Sequence, residues 1–312
     1  MIIVRITSGL GNQMFQYNLY RFLKTRYKDV PVKADLTWFY ANDDHHGYEL
    51  KRVFDHEGSD FAIEEATPSE IFKITGYIPN CSKKHGAAFE KFRRFPNRLL
   101  KNNLTKSRRK NVIDAMSESV SFDRFEKLDA SKDHYIIGFF IEEAFWKERI
   151  PVLKRELRFD DKYSRENHEL ALRILDKDFD SVSIHVRRGD YLTVYAGQFK
   201  PLGRTYYEAA VNEIKKYADN PHFYIFSDDP LWVSEEFSWL NEKTIVDINH
   251  GNDSFRDMQL MSLCKHNIIA NSTFSTWAAI LNDNDGHITI YPKDYLRDED
   301  SEIKTVKGWI RL

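Results

Sequence analysis

Between residues 181 and 291 the chain alternates two kinds of segment. Short, β-branched-rich apolar runs at 181–187, 222–226, 244–248, 267–270 and 287–291 are separated by helix-like stretches at 205–218, 230–238, 254–264 and 274–282. Near-continuous apolar runs describe strands buried on both faces, and strands joined through helices lie parallel. The alternation therefore predicts a parallel sheet wrapped by helices. In such sheets ligands bind outside the carboxyl ends of the strands.

The N-terminus repeats the theme. Ile2–Ile6 reads as a strand, Gly9-Leu10-Gly11 as a turn, and Phe15, Leu19 and Phe22 follow at the i, i+4, i+7 spacing of a helix. A second strand near Val30–Ala34 ends at Asp35, and the pattern resumes with a strand at 135–140 and helices at 142–157 and 164–175. Residues 36–134 are irregular and without repeat. These segments imply two α/β units joined near 160–180, with a cleft between them.

Bulk properties remove several classes. The formal charge of −2 provides no field to draw the chain to nucleic acid. Two cysteines, Cys81 and Cys264, are too few for a disulfide framework and fit a reducing cytoplasm. MIIVRITSGLGNQ is a strand running into a turn rather than a signal peptide, and no run approaches the ~18 apolar residues that span a bilayer. The expected location is cytoplasmic. The stretch 89–110, with nine Lys and Arg against one Glu, reads as a solvated basic surface or as a peripheral contact with anionic lipid at the inner membrane.

Four polar clusters fall at predicted strand ends. In SVSIHVRRGDY (181–191), Val182, Ile184 and Val186 alternate with Ser183, His185 and Arg187. The strand thus delivers His185, Arg187 and Arg188 to its carboxyl end, where an arginine fork suits a phosphate unless Asp190 merely pairs with it. Gly9, Gly11, Asn12 and Gln13 form a glycine turn at a helix start, which favours an anion, although Met14 stands where a dinucleotide fingerprint needs its third glycine. Ser227, Asp228 and Asp229 before Pro230 fit an ordinary helix start. Asn271, Ser272, Thr273, Ser275 and Thr276 place hydroxyls at another helix start, one of them as the N-cap. Asp257 closes a Ser254-x-x-Asp257 capping-box pattern, and its carboxylate also suits the two donors of a guanine edge. The acidic triplets 283–285 and 298–300 read as solvated loops, and the histidines show no metal-ligand spacing. The clusters together describe a phosphate-binding site without a Walker loop or an evident metal, suited to transfer from a nucleotide-activated donor.

The segments GLGNQMFQY (9–17), YEL (48–50), HVRRGDY (185–191), YYEAA (206–210), FSDD (226–229) and LMSLCKHNIIANSTFSTWAAILN (260–282) resemble family 11 glycosyltransferases, the bacterial α-1,2-fucosyltransferases. The resemblance implies a GT-B-like α/β arrangement of two Rossmann-like domains, 1–165 mainly for the acceptor and 166–312 for the donor. It implies transfer of fucose from GDP-β-L-fucose to O2 of a terminal β-galactoside, with inversion and no metal or other cofactor. It places the β-phosphate on Arg187, the nucleotide on His185, the guanine on Asp257, phosphate on Ser272, Thr273 and Ser275, and the reacting centre near Asn12. The run 274–281 lacks the expected tryptophan pair, and Gly138-Phe139-Phe140-Ile141 departs from the family's pattern, which loosens the acceptor side. Asp190 is the first candidate for the base, against an alternative in which it orients Arg187 or Arg188. A dinucleotide-dependent oxidoreductase, with Asp35 on the ribose, is the other enzymatic reading, and a binding module without catalysis is a third.

Overall fold

A computed structural model describes residues 1–40, 42, 44–79, 111–293 and 306–312. It divides into two units, Met1–Arg158 and Phe159–Leu312. The basic stretch 89–110, Cys81 and the triplet 298–300 lie outside the described residues. No described helix is long and apolar enough to cross a membrane.

In the first unit, β1 (Ile2–Arg5), α1 (Leu10–Arg26), β2 (Val32–Asp35), α2 (Pro68–Thr75), β3 (Val112–Asp114) and β4 (His134–Ile137) build a parallel sheet of order β2-β1-β4-β3. Ile2, Ile3 and Val4 of β1 are fully buried, as a central strand covered on both faces requires. α1 buries Met14, Phe15 and Tyr17 in the same unit. α2 begins with a capping box, in which Thr67 and Glu70 satisfy each other's backbone N–H, and stops at Gly76 in the left-handed region. The helix expected over 142–157 is broken into Glu143–Trp146, a 3-10 turn at Lys147–Arg149, and Ile150–Glu156. Pro151 explains the break: it lacks the N–H that a helix interior needs and sits in the first turn of the last segment.

In the second unit, α3 (Arg165–Ile174) precedes β5 (Asp180–Val186), α4 (Arg204–Ile214), β6 (Pro221–Ser227), α5 (Pro230–Glu236) and β7 (Lys243–Val246). Then come α6 (Phe255–Leu263), β8 (His266–Ile268), α7 (Thr273–Leu281), β9 (Thr289–Tyr291) and a short β10 (Ile310–Arg311). The sheet order is β10-β9-β8-β5-β6-β7, and every pair is parallel. Val182, Ile184 and Val186 pack with Tyr207, Val211 and Phe223 in its main core. The unit begins ahead of the expected 165/166 boundary. Phe159 stacks on Phe255 with ring centroids 6.2 Å apart, and Asp160 is held by Arg256 at 2.6 Å, so this segment belongs to the second unit.

The strand order fixes where a ligand can bind. From β5 the chain adds β6 and β7 on one side, then crosses to add β8, β9 and β10 on the other. The carboxyl ends of β5 and β8 therefore flank a topological switch point, where the connecting loops diverge and leave a crevice.

Candidate functional site

Arg187 follows the last residue of β5, at that switch point. Its Nη2 donates to Asp190 Oδ2 at 2.8 Å and its Nη1 lies 2.9 Å from Asp228 Oδ2, while 29% of the side chain stays exposed. Burial works against the guanidinium charge, but Asp228 and Asp190 outweigh it and push its pKa up. The result is a fixed, permanently charged fork held at one edge and open at another. Asp228 also accepts from the Arg188 backbone N–H at 2.9 Å. A Cβ on Gly189 would stand 3.2 Å from that carboxylate, so glycine lets the two strand-end loops approach.

Arg188 and Asp190 both have partners in this unit. The Arg188 guanidinium lies 3.8 Å from the Trp232 ring centroid and donates to Asp229 Oδ2 at 3.2 Å. It packs α5 rather than joining Arg187. Asp190, read from the sequence as a base or as the group that orients Arg187 or Arg188, holds Arg187 through one carboxylate oxygen, and its other oxygen is buried without a hydrogen-bond partner among the described residues.

His185 is 5% exposed, and its Nδ1 lies 2.9 Å from Ser275 Oγ, which ties the end of β5 to the start of α7. Burial, and then the charge of Arg187, push the imidazole down to about 3, so it is neutral. Ser275 Oγ also accepts from the Ala270 N–H at 3.3 Å, and Ser272 is the N-cap, accepting from the Phe274 N–H at 3.3 Å. Thr273, the first residue of α7, is partly exposed. Two neighbouring tyrosines on α4 brace the crevice from below: Tyr207 donates to His185 O at 3.1 Å, and Tyr206 to Ile269 O at 2.7 Å. Their paired spacing on one helix was the available signal.

Asp257 lies in the first turn of α6. The capping box is not formed, since the Ser254 side chain caps nothing. Instead Asn249 donates to Asp257 Oδ1 at 2.8 Å. Burial pushes the carboxyl up to about 7, against that hydrogen bond and with help from Asp247.

The glycine turn of the first unit differs from expectation. Gln13 is fully buried: its Nε2 donates to Ser8 O at 2.7 Å and Gly47 O at 2.9 Å, and its Oε1 accepts from the Glu49 N–H at 2.9 Å. Gly9 admits the His45 ring, which would stand 3.3 Å from a Cβ there, and Gly11 is buried inside α1. The anion at this helix start is the chain's own, because Glu49 accepts from the Leu10 N–H. These glycines and Gln13 thus shape a loop around Glu49. Asn12 is partly exposed, and its side chain makes no hydrogen bond with a described residue. Asp35, the ribose acceptor of the oxidoreductase reading, is 1% exposed and bonded to the Tyr135 hydroxyl and the Thr37 N–H, so it offers nothing to a ribose.

Among the described residues no group of three or more His, Cys, Asp or Glu side chains is placed to hold a metal. In the triplet 283–285, Asn284 bonds to Asn282, Leu263 and Cys264. That loop closes on its own unit.

The sequence profile of glycosyl transferase family 11 matches residues 93–312, which include every element of the switch-point site. The chain belongs to glycosyl transferase family 11. An α-1,2-colitosyltransferase of Escherichia coli is 29% identical over 327 residues, covering 100% of this chain and 99% of that one. A galactoside 2-α-L-fucosyltransferase of Mus musculus, Sec1, is 28% identical over 168 residues, covering 51% of this chain and 44% of its own. Among solved structures, the fucosyltransferase NodZ from Bradyrhizobium shares 11% identity and a TM-score of 0.50, covering 90% of this chain and 92% of NodZ. That likeness is one of fold: two α/β units of the GT-B type. The segment HVRRGDY is the end of β5 and its Arg187 fork, FSDD supplies the aspartate that clamps it, and NSTFS is the start of α7.

Proposed function

We propose that this family 11 glycosyltransferase moves L-fucose from GDP-β-L-fucose to O2 of a terminal β-galactoside, with inversion and without a metal. The observation that carries the reading is the doubly clamped Arg187 at the β5/β8 switch point beside the hydroxyl-bearing start of α7. As the glycosidic bond breaks, negative charge grows on the leaving diphosphate. A guanidinium fixed in advance, together with the N–H groups at the start of α7, meets that charge at no cost of reorganisation. Asp257, with one oxygen held by Asn249, presents the other to the N1–H and N2–H of guanine. Neutral His185 adds an uncharged contact to the nucleotide. In the first unit, Asn12 is the side chain assigned to the acceptor hydroxyl. Asp190 serves Arg187, so the proton of that hydroxyl passes to water as the new glycosidic bond forms and the bond to the departing diphosphate breaks.

The full-length colitosyltransferase relative supports a second donor, a nucleotide-linked colitose in place of fucose. Incubation of the purified protein with GDP-fucose or GDP-colitose, EDTA, and lactose or N-acetyllactosamine tests both. The expected product carries an α-1,2 linkage by NMR and forms faster from GDP-fucose. Product from GDP-colitose alone replaces fucose as the donor. A different linkage overturns the assignment of the acceptor atom.

A further inference from the structure

Behind Asp257 lies a closed pair of amides that the reading above does not use. Asn249 and Asn167 are 8% and 4% exposed, and they bond reciprocally: Asn167 Nδ2 donates to Asn249 Oδ1 at 2.7 Å, and Asn249 Nδ2 donates to Asn167 Oδ1 at 3.0 Å. Each amide has one further N–H. That of Asn249 goes to Asp257 Oδ1 at 2.8 Å, and that of Asn167 to Ser164 Oγ, the N-cap of α3, at 3.2 Å. Every amide N–H of the pair is used, and at the Asp257 end the second carboxylate oxygen makes no hydrogen bond with a described residue while the residue stays partly exposed. The orientation of both amides is fixed by this arrangement, since a flipped Asn249 would turn a carbonyl oxygen toward a carboxylate.

We infer that Asn249, locked by Asn167, is a positioning residue for nucleobase recognition: it sets the Asp257 carboxylate in the one orientation that accepts from both the N1–H and the N2–H of a guanine. This rests on Asp257 meeting the base. Three elements converge to build it: α3 contributes Asn167, the loop after β7 contributes Asn249, and α6 contributes Asp257. The charged groups facing Asp257 do not substitute for the amide. Asp247 is of like charge and is itself paired with His250 at 3.6 Å, and Arg256 points away to Asp160 and the Lys162 carbonyl. From α3 the facing group is Asn167, which is uncharged. Asn249 is thus the donor that favours the ionised form, so its loss leaves Asp257 protonated to higher pH.

The test measures binding of GDP, IDP (which lacks the N2 amine) and ADP to the full chain from pH 5.5 to 8.5. The wild type is expected to favour GDP over IDP by about tenfold or more, because a site built for a donor is left with an unpaired acceptor when that donor is missing. In Asn249→Ala the GDP/IDP ratio falls by about fivefold or more, and the pH midpoint for GDP binding rises by about one unit. Asn167→Ala moves both in the same direction by less, and decides the matter if Asn249→Ala does not fold. Equal weakening of GDP, IDP and ADP with an unmoved midpoint overturns the inference, because a merely structural role would do that. Absence of any GDP preference in the wild type, or indifference to Asp257→Ala, overturns the guanine reading itself, and the inference with it.

Discussion

Arg187 decides whether the second unit is a transferase site or a surface with charges on it. Its exposure of 29% with two aspartates behind it is the geometry of a group aimed outward and held from the rear. Replacing it with alanine should lower turnover by about 10²–10³-fold, as removal of one preorganised donor to a developing anion does. Far-UV circular dichroism should stay unchanged, since the side chain lies at a strand end. Asp228 carries the second part of the argument, because it binds both the Arg187 side chain and the Arg188 backbone. Asp228→Asn should therefore reduce kcat by about 10- to 10²-fold, the effect of misplacing a group by about an ångström. Its GDP dissociation constant should change less. Asp257 makes a prediction in protons. With its carboxyl pushed up to about 7, it is largely protonated at pH 6, and the proposed contact with guanine uses the ionised form. GDP binding at pH 6 should release a proton beyond any released by Asp257→Asn, measured by calorimetry in buffers of different ionisation enthalpy.

At the scale of elements, two features of the first unit hold it together. Gly138 follows β4 where a Cβ would stand 2.7 Å from Phe140 Cζ and 2.9 Å from Ala115 Cβ, and its carbonyl accepts from Gln16 at 3.0 Å. Phe140 packs against Phe125 and Phe145, so it has little room to give. Gly138→Ala should cost about 1–3 kcal/mol, read as a lower denaturation midpoint with unchanged slope. Glu49, whose carboxyl burial pushes up to about 7 despite Arg52 and the Leu10 N–H, couples this loop to pH. A carboxyl raised above its ordinary 4.5 stabilises the fold fully below that value, and the contribution is lost as pH rises through about 7. Stability should fall by about 3 kcal/mol between pH 4.5 and 7 on its account, and Glu49→Gln should flatten that slope in thermal melts. Elements were legible wherever burial imposed a period. The strands from β5 to β9 and the helices between them appeared as apolar runs and helical spacings. β3 and β10, of three and two residues, are too short to carry a period. The helix over 142–157 read as continuous because periodicity is blind to Pro151.

For the whole chain, the family and the site at the second sheet follow from one fact: residues that carry chemistry gather at the carboxyl ends of strands whose order reverses between β5 and β8. His185, Arg187, Ser272 and Ser275 were visible because each lies next to a strand that can be read locally. Asn249 and Asn167 were not, since they are 82 residues apart and meet only when α3 packs beside α6. Glu49 was hidden for the same reason: nothing in YEL indicates that its carboxylate ends at the start of α1. Asp190 could be read from the sequence as a base or as a partner of Arg187, and the pairing with Arg187 became visible only in the folded chain. The central claim is that Arg187 discharges a nucleotide-sugar donor toward a galactoside. The measurement that meets it most directly is acceptor-dependent GDP release from GDP-fucose in EDTA, with lactose or N-acetyllactosamine, in the wild type and in Arg187→Ala. The account predicts release that needs the acceptor, survives chelation and collapses in the variant; release that stops with EDTA, or that Arg187→Ala leaves intact, would contradict it.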